Sequence, residues 1–165
     1  MTHAEMLAFL EGFYRDTLAL VFARQVNARA VTPYDANNAY QQVLGRQDVH
    51  LQWLEAAIAQ LGGSAPPAPG ASGESAAGSR KEKPDQRALL ESDVATQHRF
   101  VEGWERKVAL VSNARHRKML ELILGEMREH LRVFQQALDG RTDVLGRHAD
   151  GKVLSGKVLP ARPTG

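Results

Sequence analysis

Apolar side chains recur at three- and four-residue steps through four long stretches of this chain, and that period predicts four helices. In the first stretch Met6, Leu10, Phe13, Tyr14, Thr17, Val21, Arg24 and Ala28 fall on one stripe, which predicts a helix over about residues 3–30. Thr2-x-x-Glu5 has the form of a capping box, which satisfies two backbone N–H groups at a helix start. Leu7, Phe9, Leu18, Leu20 and Phe22 widen the stripe. Two explanations stand side by side: a broad core face inside a tight bundle, or a surface for a dimer contact or a docked tail.

Thr32-Pro33 punctuates the chain, with Thr32 as the expected N-cap and Pro33 at the first helical position. A second helix of about 28 residues, roughly 42 Å long, follows. It carries Tyr40, Val43, Leu44, Gln47, His50, Leu51, Leu54, Ile58 and Leu61 on one face and closes at Gly62-Gly63. Periodicity is lost through residues 62–84, where Ser64-Ala65-Pro66-Pro67-Ala68-Pro69-Gly70 leads into Ser- and Gly-rich sequence and then Arg80-Lys81-Glu82-Lys83. That composition buries too little apolar surface to offset its ordering entropy, so it reads as a flexible connection with solvated charges. Asp85 can cap a third helix whose inner face is Leu90, Val94, Gln97, Val101, Trp104, Val108 and Val111. After a tight turn at Ser112-Asn113, a fourth carries Met119, Leu120, Ile123, Met127, His130, Leu131, Phe134 and Leu138 to Asp139-Gly140. Short turns make each helix pair an antiparallel hairpin. The expected fold is therefore an all-α four-helix bundle over residues 1–140, two hairpins joined by the long 62–84 connection. Residues 141–165 read as a flexible tail containing the tandem Gly151-Lys152-Val153-Leu154 and Gly156-Lys157-Val158-Leu159.

Composition narrows the function more than the fold. A chain of 165 residues can bury one core without staples. The net charge of +2, with acids interspersed among Lys and Arg, argues against nucleic acid as a partner. Arg115, Arg117, Lys118 and the basic tail are all that favour it. With no cysteine, disulfides, thiolate metal sites and cysteine nucleophiles are excluded. Met1-Thr2-His3-Ala4-Glu5 lacks the features of a signal peptide, and no run approaches the roughly 18 apolar residues of a membrane span. A soluble, cytoplasmic protein is expected.

Two stretches repeat at an offset of 80 residues: His50, Leu51, Leu54 and Ile58 against His130, Leu131, Phe134 and Leu138. Two long hairpins, a long crossover and histidines at matching levels of helices two and four resemble the ferritin-like superfamily over residues 3–138. His50-x-x-Trp53-Leu54, running to Leu61-Gly62-Gly63, is similar to bacterial members of the rubrerythrin and bacterioferritin kind. The resemblance implies a dinuclear metal centre, in which a Glu from each of helices one and three joins a Glu-x-x-His pair from each of helices two and four. This chain departs from that pattern. Gln47 and Met127 stand three residues before the histidines, and Tyr14 and Val94 stand at the levels of the lone acids. Of six expected ligands His50 and His130 remain. Two neutral imidazoles cannot offset the charge of two iron ions, so a typical di-iron oxidase or ferroxidase is not expected.

In the leading reading, His50 and His130 hydrogen-bond Gln47, Tyr14, Thr17 or Gln97 in a buried polar layer. The protein is then a non-catalytic scaffold or interaction protein without a cofactor, a homodimer or part of a larger assembly. In the competing reading, His50, His130 and Glu126 hold iron, manganese or zinc for redox or oxygen chemistry, with Glu11 and Asp93 near the vacant levels. His3, His98, His116 and His148 read as surface or capping residues, and Met119 and Met127 as core.

Overall fold

A computed structural model describes residues 1–68 and 85–141. Its elements are α1 (His3–Ala30), α2 (Tyr34–Gln60), α3 (Gln86–Ala109) and α4 (Ala114–Leu138). The local chemistry that starts and ends them is mostly the expected kind. Thr2 and Glu5 form the capping box of α1, Asp85 accepts from the Arg87 N–H, and Asn113 accepts from the His116 N–H. Gly62 and Gly140, at φ 74° and 82°, close α2 and α4 in the left-handed region. The start of α2 differs: Pro33 is its N-cap, with no side-chain cap hydrogen bond. Thr32 is used elsewhere, its hydroxyl accepting from Gln86 Nε2 at 2.7 Å. Asn37 holds the α1–α2 turn, donating to the carbonyls of Ala28 and Val31.

α1 packs on α2 and α3, and α4 on the same two helices, which leaves α1 diagonal to α4. Phe9 meets Trp104 while Asn27 donates to Asp93, so α1 and α3 are antiparallel. Tyr40 meets Phe134 while His50 meets Glu126, so α2 and α4 are antiparallel as well. His3 Nε2 lies 2.9 Å from the Leu61 carbonyl at one end of the bundle, and Gln86 is tied to Thr32 at the other. α2 therefore ends at the opposite end from the start of α3. The chain between them must return the length of a 27-residue helix, about 40 Å. This is the crossover expected for two hairpins.

Two apolar clusters fill the interior. The larger centres on Leu10, Phe13, Leu54, Ile58, Trp104, Leu120 and Ile123, and the smaller on Ala28, Tyr40, Val43 and Phe134. Leu18 and Leu20 are buried, and Leu7 and Phe9 pack on the core, so a broad core face accounts for much of the width of the α1 stripe. Phe22 stays 40% exposed, beside Val26 at 67%. Ala65 also packs on the core, and a Cβ on Gly63 would lie 2.5 Å from Leu7 Cδ1, so the first residues past α2 rest against the bundle. The remainder of the 62–84 connection and the 142–165 segment with its tandem element lie outside the described residues. Two burial expectations change. Asp93 takes the inward place expected of Val94, which is half-buried, and His116 is buried rather than at the surface. Among the described residues no helix is long and apolar enough to cross a membrane.

Candidate functional site

Between the two apolar clusters lies a layer of buried polar side chains: Arg24 from α1, Gln47 and His50 from α2, and Asp93 and Gln97 from α3. Arg24 is fully buried. Its NH2 group donates to Gln97 Oε1 at 2.8 Å, and Gln97 Nε2 donates to the Met127 carbonyl at 2.7 Å, which links three helices. The guanidinium lies over the Phe134 ring, 4.8 Å from its centroid. Asp93 Oδ1 is 4.0 Å from Arg24 Nε, a Coulombic neighbour rather than a hydrogen-bond partner. Asp93 Oδ2 instead accepts from the Tyr40 hydroxyl and from Asn27 Nδ2. Burial pushes the Arg24 guanidinium down to about 10, against the pull of Asp93, so it stays charged near neutral pH. Burial, then the hydrogen bond to Asp93, pushes the Tyr40 phenol up.

The histidines face each other a little further along. Their ring centroids are 6.2 Å apart and the planes lie 27° from parallel. His50 Nε2 is 2.7 Å from Glu126 Oε2. Arg46 grips Glu126 with its Nε and NH2 groups, and its guanidinium lies over the Trp53 ring. That grip, with the His50 contact adding to it, holds the Glu126 carboxyl down at about 2. An ionised carboxylate can only accept, so His50 carries its proton on Nε2. Burial lowers the His50 imidazole. Burial, then the nearby charge of Arg24, lowers His130 to about 4. Both rings are therefore neutral near pH 7.

The three candidate metal residues, His50, His130 and Glu126, are thus brought onto facing turns of α2 and α4. The histidine partners expected from the sequence are not the ones used. Tyr14 donates to Glu55 at 2.8 Å, and Thr17 donates to its own helix at Phe13. Gln97 serves Arg24, and Gln47 is buried without a hydrogen-bond partner, as are Nδ1 of His50 and of His130. Burial, then the Glu55 contact, raises the Tyr14 phenol to about 12. Asp93, noted near a vacant level, is bound into the Tyr40 and Asn27 contacts.

These donors do not fit a dinuclear iron centre. Glu126, the carboxylate that contacts His50, is neutralised by Arg46, and a second fixed cation, Arg24, also acts on His130. Among the described residues no group of three His, Cys, Asp or Glu is disposed to hold a metal ion. Two cations that the sequence reading did not assign to the site organise it. Arg24 was visible as a lone charge in the core phase of an apolar stripe. Arg46 stands 80 residues before Glu126, the same offset that relates His50 to His130. Equivalent positions of the repeat therefore meet across the bundle. In comparisons with known proteins, no family model, no curated protein and no solved structure matches the chain.

Proposed function

We propose that this chain is a non-catalytic helical scaffold or interaction protein, a bundle of the ferritin-like kind whose dinuclear positions are given over to protein side chains. The observation that carries the reading is Arg24, a charged guanidinium wholly buried at mid-bundle and hydrogen-bonded to Gln97. A fixed positive charge there opposes a metal cation at the same level, because Coulomb repulsion is weakly screened in the interior. The crossover connectivity and the facing histidines support the ferritin-like part of the reading. The test is elemental analysis after expression with iron, manganese and zinc supplied. Metal far below one ion per chain is expected. Stoichiometric metal that disappears in a His50→Ala, His130→Ala variant would sink the reading. Light scattering tests the interaction half: a strict monomer with no copurifying partner counts against it.

A second reading keeps one observation on its side. Nδ1 of His50 and Nδ1 of His130 are buried without partners, while Glu126 lies against the other nitrogen of His50, Nε2. A single zinc, manganese or iron ion held by His50, His130 and Glu126 would need Arg46 to release the carboxylate and the His50 ring to turn so that its donor nitrogen and Glu126 face the same ion. In that case zinc raises the melting temperature of the wild-type chain and leaves a His130→Ala variant unmoved.

A further inference from the structure

The first hairpin, α1 with α2, and the second, α3 with α4, are near copies in layout. Adding 80 to the bounds of α1 and α2 gives those of α3 and α4 to within three residues. Across the bundle Arg46 meets Glu126 and His50 meets His130, each residue facing its own repeat-equivalent. Because α2 and α4 are antiparallel, a local twofold axis passes between them at that level. Such a layout has a competitor: two first hairpins, or two second hairpins, from different chains can pack in the same way.

The side chains at the seam between the hairpins distinguish these pairings. Buried and half-buried charge is divided by hairpin, the first supplying the cations Arg24 and Arg46 and the second the carboxylates Asp93 and Glu126. Hydrogen bonds follow the same division: Arg24 donates to Gln97, Asn27 and Tyr40 to Asp93, and Arg46 and His50 to Glu126. Bonds that run the other way, Trp104 to Asp16 and Gln86 to Thr32, lie at the edge of the seam. Exposed charges along the α1–α3 rim, Arg15 and Asp16 on one side and Arg99 and Lys107 on the other, stand in water, where such charges count for little. In a pair of first hairpins Arg46 would face Arg46, and Arg24 would meet Thr17, Phe13 and Leu54 in place of Gln97, Asp93 and Phe134. Thr17 already donates to the Phe13 carbonyl, so the buried guanidinium would be left without partners, which is strongly destabilising. In a pair of second hairpins Glu126 would face Glu126, and Asp93 would exchange the Tyr40 hydroxyl for Leu120, with Lys107 standing in the Asn27 position.

We propose that the inner faces of the two hairpins form an interaction surface coded by charge, in which each hairpin accepts the other, from its own chain or from a second copy, and rejects its own kind. Like charges brought together at a desolvated contact suppress the wrong partner, while the opposite charges of Arg46 and Glu126 admit the right one. This selection depends on the fold and not on the scaffold reading.

The absence of native cysteine allows the pairing to be read directly. Half-buried Val49 follows Arg46 by three residues and so shares its face of α2 beside the axis, and its repeat-equivalent is Glu129. A full-length Arg46→Glu chain carrying Val49→Cys, and a full-length Glu126→Arg chain carrying Glu129→Cys, each bring like charges together within themselves. Unfolded and refolded as a mixture, the two can exchange hairpins so that both seams regain opposite charges. A short bis-maleimide should then link the two cysteines between chains at least about 10-fold more than when either chain is refolded with a wild-type chain carrying the other cysteine. Because the readout is a gain on mixing, a variant that does not fold alone still reports. In the wild-type background Val49→Cys should give no link between chains after refolding, since first hairpins do not pair with each other. Equal linking in the mixture and in the controls, or a strong Val49→Cys self-link in the wild-type background, overturns the proposal.

Discussion

At the scale of single residues, Arg24 decides what the centre of the bundle can be. A buried charge survives only where partners offset its lost hydration, and Arg24 has Gln97, the Phe134 ring and, at longer range, Asp93. Arg24→Met would leave the Gln97 carbonyl without its donor and Asp93 without its compensating charge, at a cost of roughly 3–5 kcal/mol in urea unfolding. Removing the set together, with Arg24→Met, Gln97→Leu, Asp93→Leu and Tyr40→Phe, should recover most of that loss, because the one hydrogen-bonding partner then left over is the half-buried Asn27. His130 adds a pH dependence whose sign follows from its lowered value. The unfolded chain takes the proton near the ordinary 6.5, while the folded one waits until about 4. Stability is therefore full above 6.5 and falls as pH drops toward 4, by on the order of 3 kcal/mol. His50 acts in the same direction. Glu126 contributes below that window, its stabilisation being lost between 4.5 and about 2. In pH-dependent denaturation a His130→Phe variant should show a shallower slope between pH 6.5 and 4. Arg24 was legible in the sequence as a charge at a core position. Its partners were not, because Gln97 stands 73 residues away and periodicity says nothing about which helix faces which.

At the scale of elements, caps and turns were the most legible features, because their chemistry is local. Thr2 with Glu5, Asp85, Asn113 and Gly62 all act where their residue types predict. Thr32 was misplaced because its hydroxyl is drawn to Gln86, a contact between distant segments that no local rule encodes. Asp93 and Val94 exchanged roles for a similar reason: adjacent residues differ by about 100° around a helix, and the stripe alone does not fix its own edge. Gly62 offers a direct check. At φ 74° a side chain is strained whatever space surrounds it, so Gly62→Ala should cost about 1 kcal/mol. Gly45 lies inside α2 with open space around it, so Gly45→Ala should stabilise by about 0.5–1 kcal/mol. Paired thermal melts of the two variants should move in opposite directions, and shifts of the same sign would contradict the backbone assignment.

At the scale of the molecule, direction matters more than helix count. Short turns in the sequence implied two hairpins, but the relation between them rests on long-range contacts: His3 with Leu61 at one end, Thr32 with Gln86 at the other. Because α2 and α3 start at the same end, the segment joining them is a length constraint as well as a connection. Deleting residues 69–84 would leave residues 62–68 to bridge α2 and Asp85, and eight extended steps reach at most about 29 Å. The path to be covered is about 40 Å. One chain could then no longer close its own bundle. It would either lose its cooperative fold or pair its first hairpin with the second hairpin of another chain, the usual outcome when a hinge is too short for its span. Replacing residues 69–84 by Gly and Ser of equal length preserves the reach, since loop-closure entropy depends weakly on composition and only logarithmically on length. The deletion should therefore unfold or exchange hairpins between chains, while the replacement keeps a native melting curve. If the deleted chain instead closed as a monomer with native stability, α2 and α3 would have to run in opposite directions, and the placement of the polar centre between two crossed hairpins would fall with them.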